Sequence, residues 1–105
     1  MRIPLVRKVF VAKYIGPVDI SSLTTLTNLT SLALYGCFSL VDTSPLQNLS
    51  NLTSLALFGC NKLTDISQLQ NMTNLSELIL ASALVSQTNV VQLKHALPGL
   101  LIRRW

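Results

Sequence analysis

Charged and aromatic residues are scarce in this sequence, and long apolar runs are absent. Charged residues make up 11% of the 105 residues and aromatic residues 6%, whereas 50% are hydrophobic. This composition excludes a disordered chain and predicts one domain with a mainly aliphatic core. No apolar run approaches the ~18 residues that span a bilayer, so we expect no membrane insertion. Arg7 and Lys8 follow Met1 too closely for a signal peptide, so we expect a cytoplasmic protein, or a secreted or surface-attached one if the chain is cut from a longer protein.

The residue patterns of most enzymes and metal sites are also missing. Two cysteines are too few for a disulfide scaffold, and they lack the C-x-x-C spacing of zinc and redox sites. There is no glycine-rich phosphate loop, no H-E-x-x-H and no Ser/His/Asp constellation. The single histidine, His95, has no nucleophile coupled to it in the sequence pattern. We therefore expect no enzymatic activity, no cofactor and no bound metal.

The net charge of +4 is concentrated at the two ends of the chain. The body holds two lysines against four carboxylates, so it has no continuous row of cations with which to follow a phosphate backbone. Nucleic-acid or acidic-surface binding is therefore the least favoured of the functions considered. The terminal basic residues are Arg2, Arg7, Lys8, Lys13, Arg103 and Arg104.

Internal repetition is the strongest feature of the sequence. Segments 26–48 and 49–71 are identical at 16 of 23 aligned positions, and a third unit, 72–96, is two residues longer. The same spacing extends backwards into a degenerate unit, 3–25, and forwards into a capping strand, 97–105. The whole chain is therefore predicted to be one repeat domain, 1–105. One such unit cannot bury its leucines alone, but stacked units can.

The pattern Leu52-x-x-Leu55-x-Leu57-x-x-Cys60-x-x-Leu63 recurs 23 residues earlier, from Leu29 to Leu40. This resembles the leucine-rich repeat family, and in particular bacterial members with short internalin-like repeats and a longer, helix-bearing last repeat. The resemblance implies an α/β solenoid: a short right-handed coil stack with a parallel sheet on one face and short 3-10 or α turns on the other. The third unit lacks Gly and Pro over 90–96, so we place one α-helix of about two turns there.

Family resemblance implies protein binding through the strand residues that face away from the core. These residues would stand in columns, one of which is predicted to be Phe10, Ala33, Ala56 and Ile79. The apolar middle of this surface and its two stacked aromatics suggest a contact surface. The alternative is that the small residues are present only because the repeat unit was duplicated. A self-associating structural protein, such as a homodimer, is the alternative. The predicted protein-binding residues are Phe10, Ala33, Tyr35, Ala56, Phe58, Glu77 and Ile79.

Other recurring residues are predicted to be structural. Cys37 and Cys60 occupy the slot that turns inward after each strand, and parallel side chains ~4.8 Å apart are poorly placed for a disulfide. Asp19, Asp42 and Asp65 are predicted to cap the short helical turns. Asn28, Asn51 and Asn74 precede each strand leucine, where a side-chain amide can bond the neighbouring backbone.

Overall fold

The residues that the structure describes form one sheet of five parallel strands. The computed structural model describes residues 9–13, 27–38, 40–81 and 84–104. The strands pair in sequence order, β1-β2-β3-β4-β5, and every pairing is parallel. Their bounds are β1 Val9–Lys13, β2 Ser31–Tyr35, β3 Ser54–Phe58, β4 Glu77–Ala81 and β5 Leu101–Arg104. The predicted α/β class with a parallel sheet is confirmed.

The described residues include three helical segments, which follow the second, third and fourth strands. Two are 3-10 helices, Ser44–Leu46 and Ser67–Asn71, and the third is the α-helix α1, Gln87–Ala96. The helix near the C-terminus was predicted over 90–96 and begins three residues earlier. Its start is set by Ser86, whose hydroxyl oxygen accepts a hydrogen bond from the backbone N–H of Asn89 at 3.2 Å. Helix α1 packs against the second 3-10 helix.

The aspartates at the start of the 3-10 turns organise those turns. A carboxylate oxygen of Asp42 accepts the backbone N–H of Ser44 at 2.9 Å and its hydroxyl at 2.6 Å. The equivalent oxygen of Asp65 accepts the backbone N–H of Ser67 at 2.9 Å. This bond and the one from the Ser67 side chain lower the pKa of Asp65 below its ordinary value of 3.8. Both carboxylates therefore satisfy backbone donors that the short helix leaves unpaired. Asp19 lies outside the described residues.

Asparagine side chains tie each unit to the one before it. The amide of Asn51 donates to the carbonyl of Thr27 at 2.8 Å, and that of Asn74 donates to Ser50 at 3.0 Å. In α1, Asn89 makes a similar bond, to the carbonyl of Thr64 at 3.0 Å. These amides satisfy backbone acceptors at the turns before the strands, which is the role predicted for Asn51 and Asn74.

A single layer of leucines fills the space between the sheet and the helical connections. On each of the central strands the second and fourth residues point inward, and these six side chains are at most 1% exposed. Residues from the return segments, such as Leu46, Ile66 and Leu69, are completely buried against them. The inward strand residues are Leu32, Leu34, Leu55, Leu57, Leu78 and Leu80.

The end strands depart by one residue from the repeat spacing. Phe10 pairs with Leu32, whereas the 23-residue period placed it beside Ala33, so the predicted register of β1 is wrong. At the other end, Ile102 pairs with the inward Leu78 and packs against the core. Leu75 lies two residues before the start of β4, whereas the corresponding Leu100 lies only one residue before the start of β5. The 23-residue period alone would have paired Leu101 with Leu78 and placed Arg103 opposite the inward Leu80.

Candidate binding face of the sheet

The strand side chains on the side of the sheet opposite the leucine layer form what we call the outer face. Alternation along a strand places every second residue there. Most of these residues are partly exposed, in contrast to the buried leucines between them. In β2 to β5 the outer face consists of Ser31, Ala33, Tyr35, Ser54, Ala56, Phe58, Glu77, Ile79, Ala81, Leu101 and Arg103.

Two aromatic rings stack on the outer face at the ends of neighbouring strands. Tyr35 and Phe58 are in register, with ring centroids 4.6 Å apart and ring planes inclined by 10°. The spacing follows from the strand separation of roughly 4.8 Å, which sets adjacent rings at stacking distance. Gly36 and Gly59 follow the two rings directly and have φ angles of 69° and 66°, a left-handed conformation that favours glycine. Both strands therefore turn directly after the ring pair.

The middle of the outer face is flat because two alanines lie side by side. Ala33 pairs with Ala56, and Ala56 pairs with Ile79. Ala33 and Ile79 are partly exposed, but Ala56 is only 8% exposed. The expectation that Ala56 is an open surface position is therefore wrong. Its methyl group is short, and it lies between Ser54 and Phe58 along β3 and opposite Ile79 on β4.

A charged group borders the apolar middle of the outer face. One carboxylate oxygen of Glu77 accepts the Ser54 hydroxyl at 3.3 Å, and the other lies 3.4 Å from the Arg103 guanidinium. The Glu77 and Arg103 side chains are 34% and 53% exposed, so this ion pair faces solvent. The sequence analysis identified Glu77 but missed Arg103, because the repeat period does not give the register of β5. An apolar residue followed by a charged one, Ile102 and Arg103, was the signal: the first would face the core and the second the outer face.

Of the seven residues predicted for protein binding, the structure brings six together on the outer face. The six lie on β2, β3 and β4. Phe10 is separated from them in register, since it pairs with an inward leucine. A further apolar position that sequence reasoning missed is the turn after β2, where Phe38 is 50% exposed and Val41 is 54% exposed. The next unit has Asn61 and Thr64 at these places.

The cysteine slot is buried. Cys37 and Cys60 are both free and 0% exposed, and the thiol of Cys60 donates to the carbonyl of Phe58 at 3.9 Å. A hydrogen bond with Cys60, together with burial, raises the pKa of the Cys37 thiol well above its ordinary value. A thiol that stays protonated and out of solvent is a poor nucleophile. The environment is therefore that of a core residue.

The described residues offer little for metal or small-ligand chemistry. Over the described ranges no three His, Cys, Asp or Glu side chains are grouped as a metal site. A cleft of about 50 Å³ lies between the second 3-10 helix and α1, and it holds no ionisable side chain. It is far smaller than the several hundred Å³ typical of organic ligand sites. Its lining residues are Ser67, Gln70, Asn89, Gln92 and Leu93.

Comparison with known proteins does not assign the chain to a family. No protein-family model matches the sequence, and curated proteins give no match. None of the helices in the described part of the chain is both long enough and apolar enough to cross a membrane. The repeat pattern and the outer face are therefore the features from which a function can be argued.

Proposed function

We propose that this chain is a bacterial-type leucine-rich repeat solenoid that binds a protein partner through its outer face and has no catalytic role. Each coil of such a solenoid would supply one strand, one inward turn and one return segment. The strict 23-residue offset between β2, β3 and β4 supports this architecture, as does the asparagine bond that recurs between successive units.

The observation that carries the binding role is the combination of chemistries on one rigid surface. Stacked rings at Tyr35 and Phe58 offer apolar area that loses little entropy when it is covered. The flat middle around Ala33 lets a partner approach the sheet closely, and the pair of Glu77 and Arg103 provides a polar border. An apolar centre with a polar rim is the usual anatomy of a protein interface.

Binding of nucleic acid through the tail arginines is less well supported. Arg103 is paired with Glu77, and the guanidinium of Arg104 donates to the carbonyl of Val85 at 2.7 Å. Both groups would have to give up these partners to reach phosphates. The charge of Arg103 is therefore balanced by Glu77, and Arg104 would lose a backbone hydrogen bond on turning to a phosphate.

A charge placed on the outer face tests the proposal. Ala33→Lys is suitable because Ala33 is partly exposed, and a lysine stem can lie along the sheet while its ammonium reaches water. Gln47→Lys makes a matched control, since Gln47 is exposed beside the first 3-10 helix and the added charge is the same.

Affinity capture from the source organism identifies a partner, which is then purified and titrated against each variant. We expect Ala33→Lys to weaken binding at least tenfold and Gln47→Lys to leave it unchanged, with both variants melting close to the parent protein. If the parent sediments as a dimer and Ala33→Lys as a monomer, the partner is a second copy. Equal binding by both variants would show that the partner uses another surface.

A further inference from the structure

Among the described strands, β5 is paired on one side only, with β4. The N–H of Leu101 donates to the carbonyl of Ser76 at 2.9 Å, so Leu101 directs its backbone groups towards β4. In a parallel strand, alternate residues direct their N–H and C=O to opposite sides. The N–H and C=O of Ile102, and the carbonyl of Leu100, therefore point to the open edge.

The carbonyl of Leu100 is the acceptor that a sixth strand would need first. In the preceding strands, the equivalent carbonyls accept the first ladder bond of the next strand: Thr30 bonds the N–H of Ser54, and Thr53 bonds that of Glu77. At Leu100 this place is taken by a side chain, because the ammonium of Lys94 donates to the Leu100 carbonyl. Lys94 lies in the last turn of α1, which carries it to the edge.

Strand addition at this edge would not be self-limiting. Among the described strands, β1 and β5 stand at the two ends of the sheet order and every pairing is parallel, so β1 of a second copy could continue the ladder from β5. Such a head-to-tail contact generates open filaments. Native proteins protect open edges with charged side chains, lysine above all.

We propose that Lys94 guards the β5 edge against addition of a second copy of this chain. Its ammonium occupies the Leu100 acceptor, so an approaching strand would have to displace it before forming the first ladder bond. The guard uses a different surface from the outer face, and it does not depend on the function proposed above.

Substitution of Lys94 by methionine tests the guard. Lys94→Met keeps a long apolar stem and removes the donor and the charge. Lys62→Met is the matched control, since Lys62 is an exposed lysine in the turn after β3 and its loss changes the net charge equally. Lys94→Arg retains both the cation and the donor and should behave as the parent protein does.

Sedimentation velocity over a concentration series gives the main result. We expect the weight-average mass of Lys94→Met to rise to at least twice the monomer mass, while Lys62→Met and Lys94→Arg sediment like the parent. A Lys94→Met protein that remains folded and sediments like the parent at every concentration would overturn the proposal.

Amide hydrogen exchange locates the contact. In the parent at low concentration the Leu101 amide should be protected and the Ile102 amide should exchange quickly, because only Leu101 has a partner on β4. In associated Lys94→Met the Ile102 amide should become protected. Protection of Ile102 in the dilute parent protein, or association that leaves Ile102 unprotected, would refute the guard, and the first of these needs no variant.

Discussion

Replacing Leu55 with alanine should destabilise the protein far more than the same truncation at Ile79. Both residues lie in the centre of the sheet, but Leu55 is 0% exposed and points to the core, whereas Ile79 points to the outer face and is partly exposed. Leu→Ala removes three carbons, and at about 0.8 kcal/mol for each buried group the transfer cost is about 2.4 kcal/mol. An incompletely closed cavity raises the total to about 3–4 kcal/mol.

The two faces therefore differ by an amount that a melting experiment resolves. With an unfolding entropy of about 2.1 cal/mol/K per residue, 3–4 kcal/mol lowers the melting temperature of this 105-residue chain by about 15 °C. Ile79→Ala removes apolar area that is already partly hydrated, so we expect about 1 kcal/mol and about 5 °C.

Thermal unfolding followed by circular dichroism, with urea titration as a check, measures both variants against the parent protein. If Ile79→Ala were as destabilising as Leu55→Ala, the outer face would be buried under another part of the chain. That result would also remove the surface on which the proposed binding function depends.

Two further substitutions test the structural roles of the repeated polar residues. Cys60→Asn should melt close to the parent, because the amide can bond the backbone groups around the slot. Cys60→Leu should lose about 1–3 kcal/mol of stability by overpacking and by loss of the bond to Phe58. Equal melting temperatures for the Asn and Leu variants would refute this role. Since hydrogen bonds depress the pKa of Asp65, its stabilising effect is present at neutral pH and is lost as the pH falls through that lowered pKa, below 3.8. The gap in melting temperature between the parent and Asp65→Ala should therefore shrink from pH 6 to pH 2, and a constant gap would mean that the charge has no part in the turn.

The interior of the fold was predictable because identical units must pack identically. Leu32, Leu55 and Leu78 stand 23 residues apart, and the sheet places them in register as that spacing requires. The turn asparagines and capping aspartates followed from the same argument, since a backbone group left unpaired in one coil is left unpaired in the next. The repeat period, the alternation of residues along each strand and the need to pair backbone groups were sufficient to predict the core and the turns.

The end strands were not predictable from the period, because among the described strands each pairs with one neighbour only. At β5, the burial of Ile102 decides the register over the repeat spacing, and Arg103 is thereby directed to solvent. At β1 the register also shifts by one residue, which moves Phe10 out of the predicted column. A one-residue shift exchanges the two faces of a strand, so small errors at the ends change the composition of the site.

The degree of burial of each outer-face residue could not be predicted from the sequence either. Alternation correctly assigns Ala56 to that face, but whether a methyl group is exposed depends on the side chains around it. At 8% exposure Ala56 is better described as part of the floor beneath Phe58 and Ile79 than as a contact residue. Ala33 has the same chemistry and stays partly exposed, which is why the charge test is placed there.

The outer face is uneven in a way that bears on the proposed partner. Strands β2 and β3 carry nearly the same outward residues, so a partner covering them alone would meet two copies of one surface. Glu77 and Arg103 break this repetition, because neither has a charged counterpart on β2 or β3. Rim charges govern orientation and rate of association more than affinity. If a partner binds the outer face, the stacked rings would therefore supply contact area, and the pair of Glu77 and Arg103 would determine which way round the partner lies.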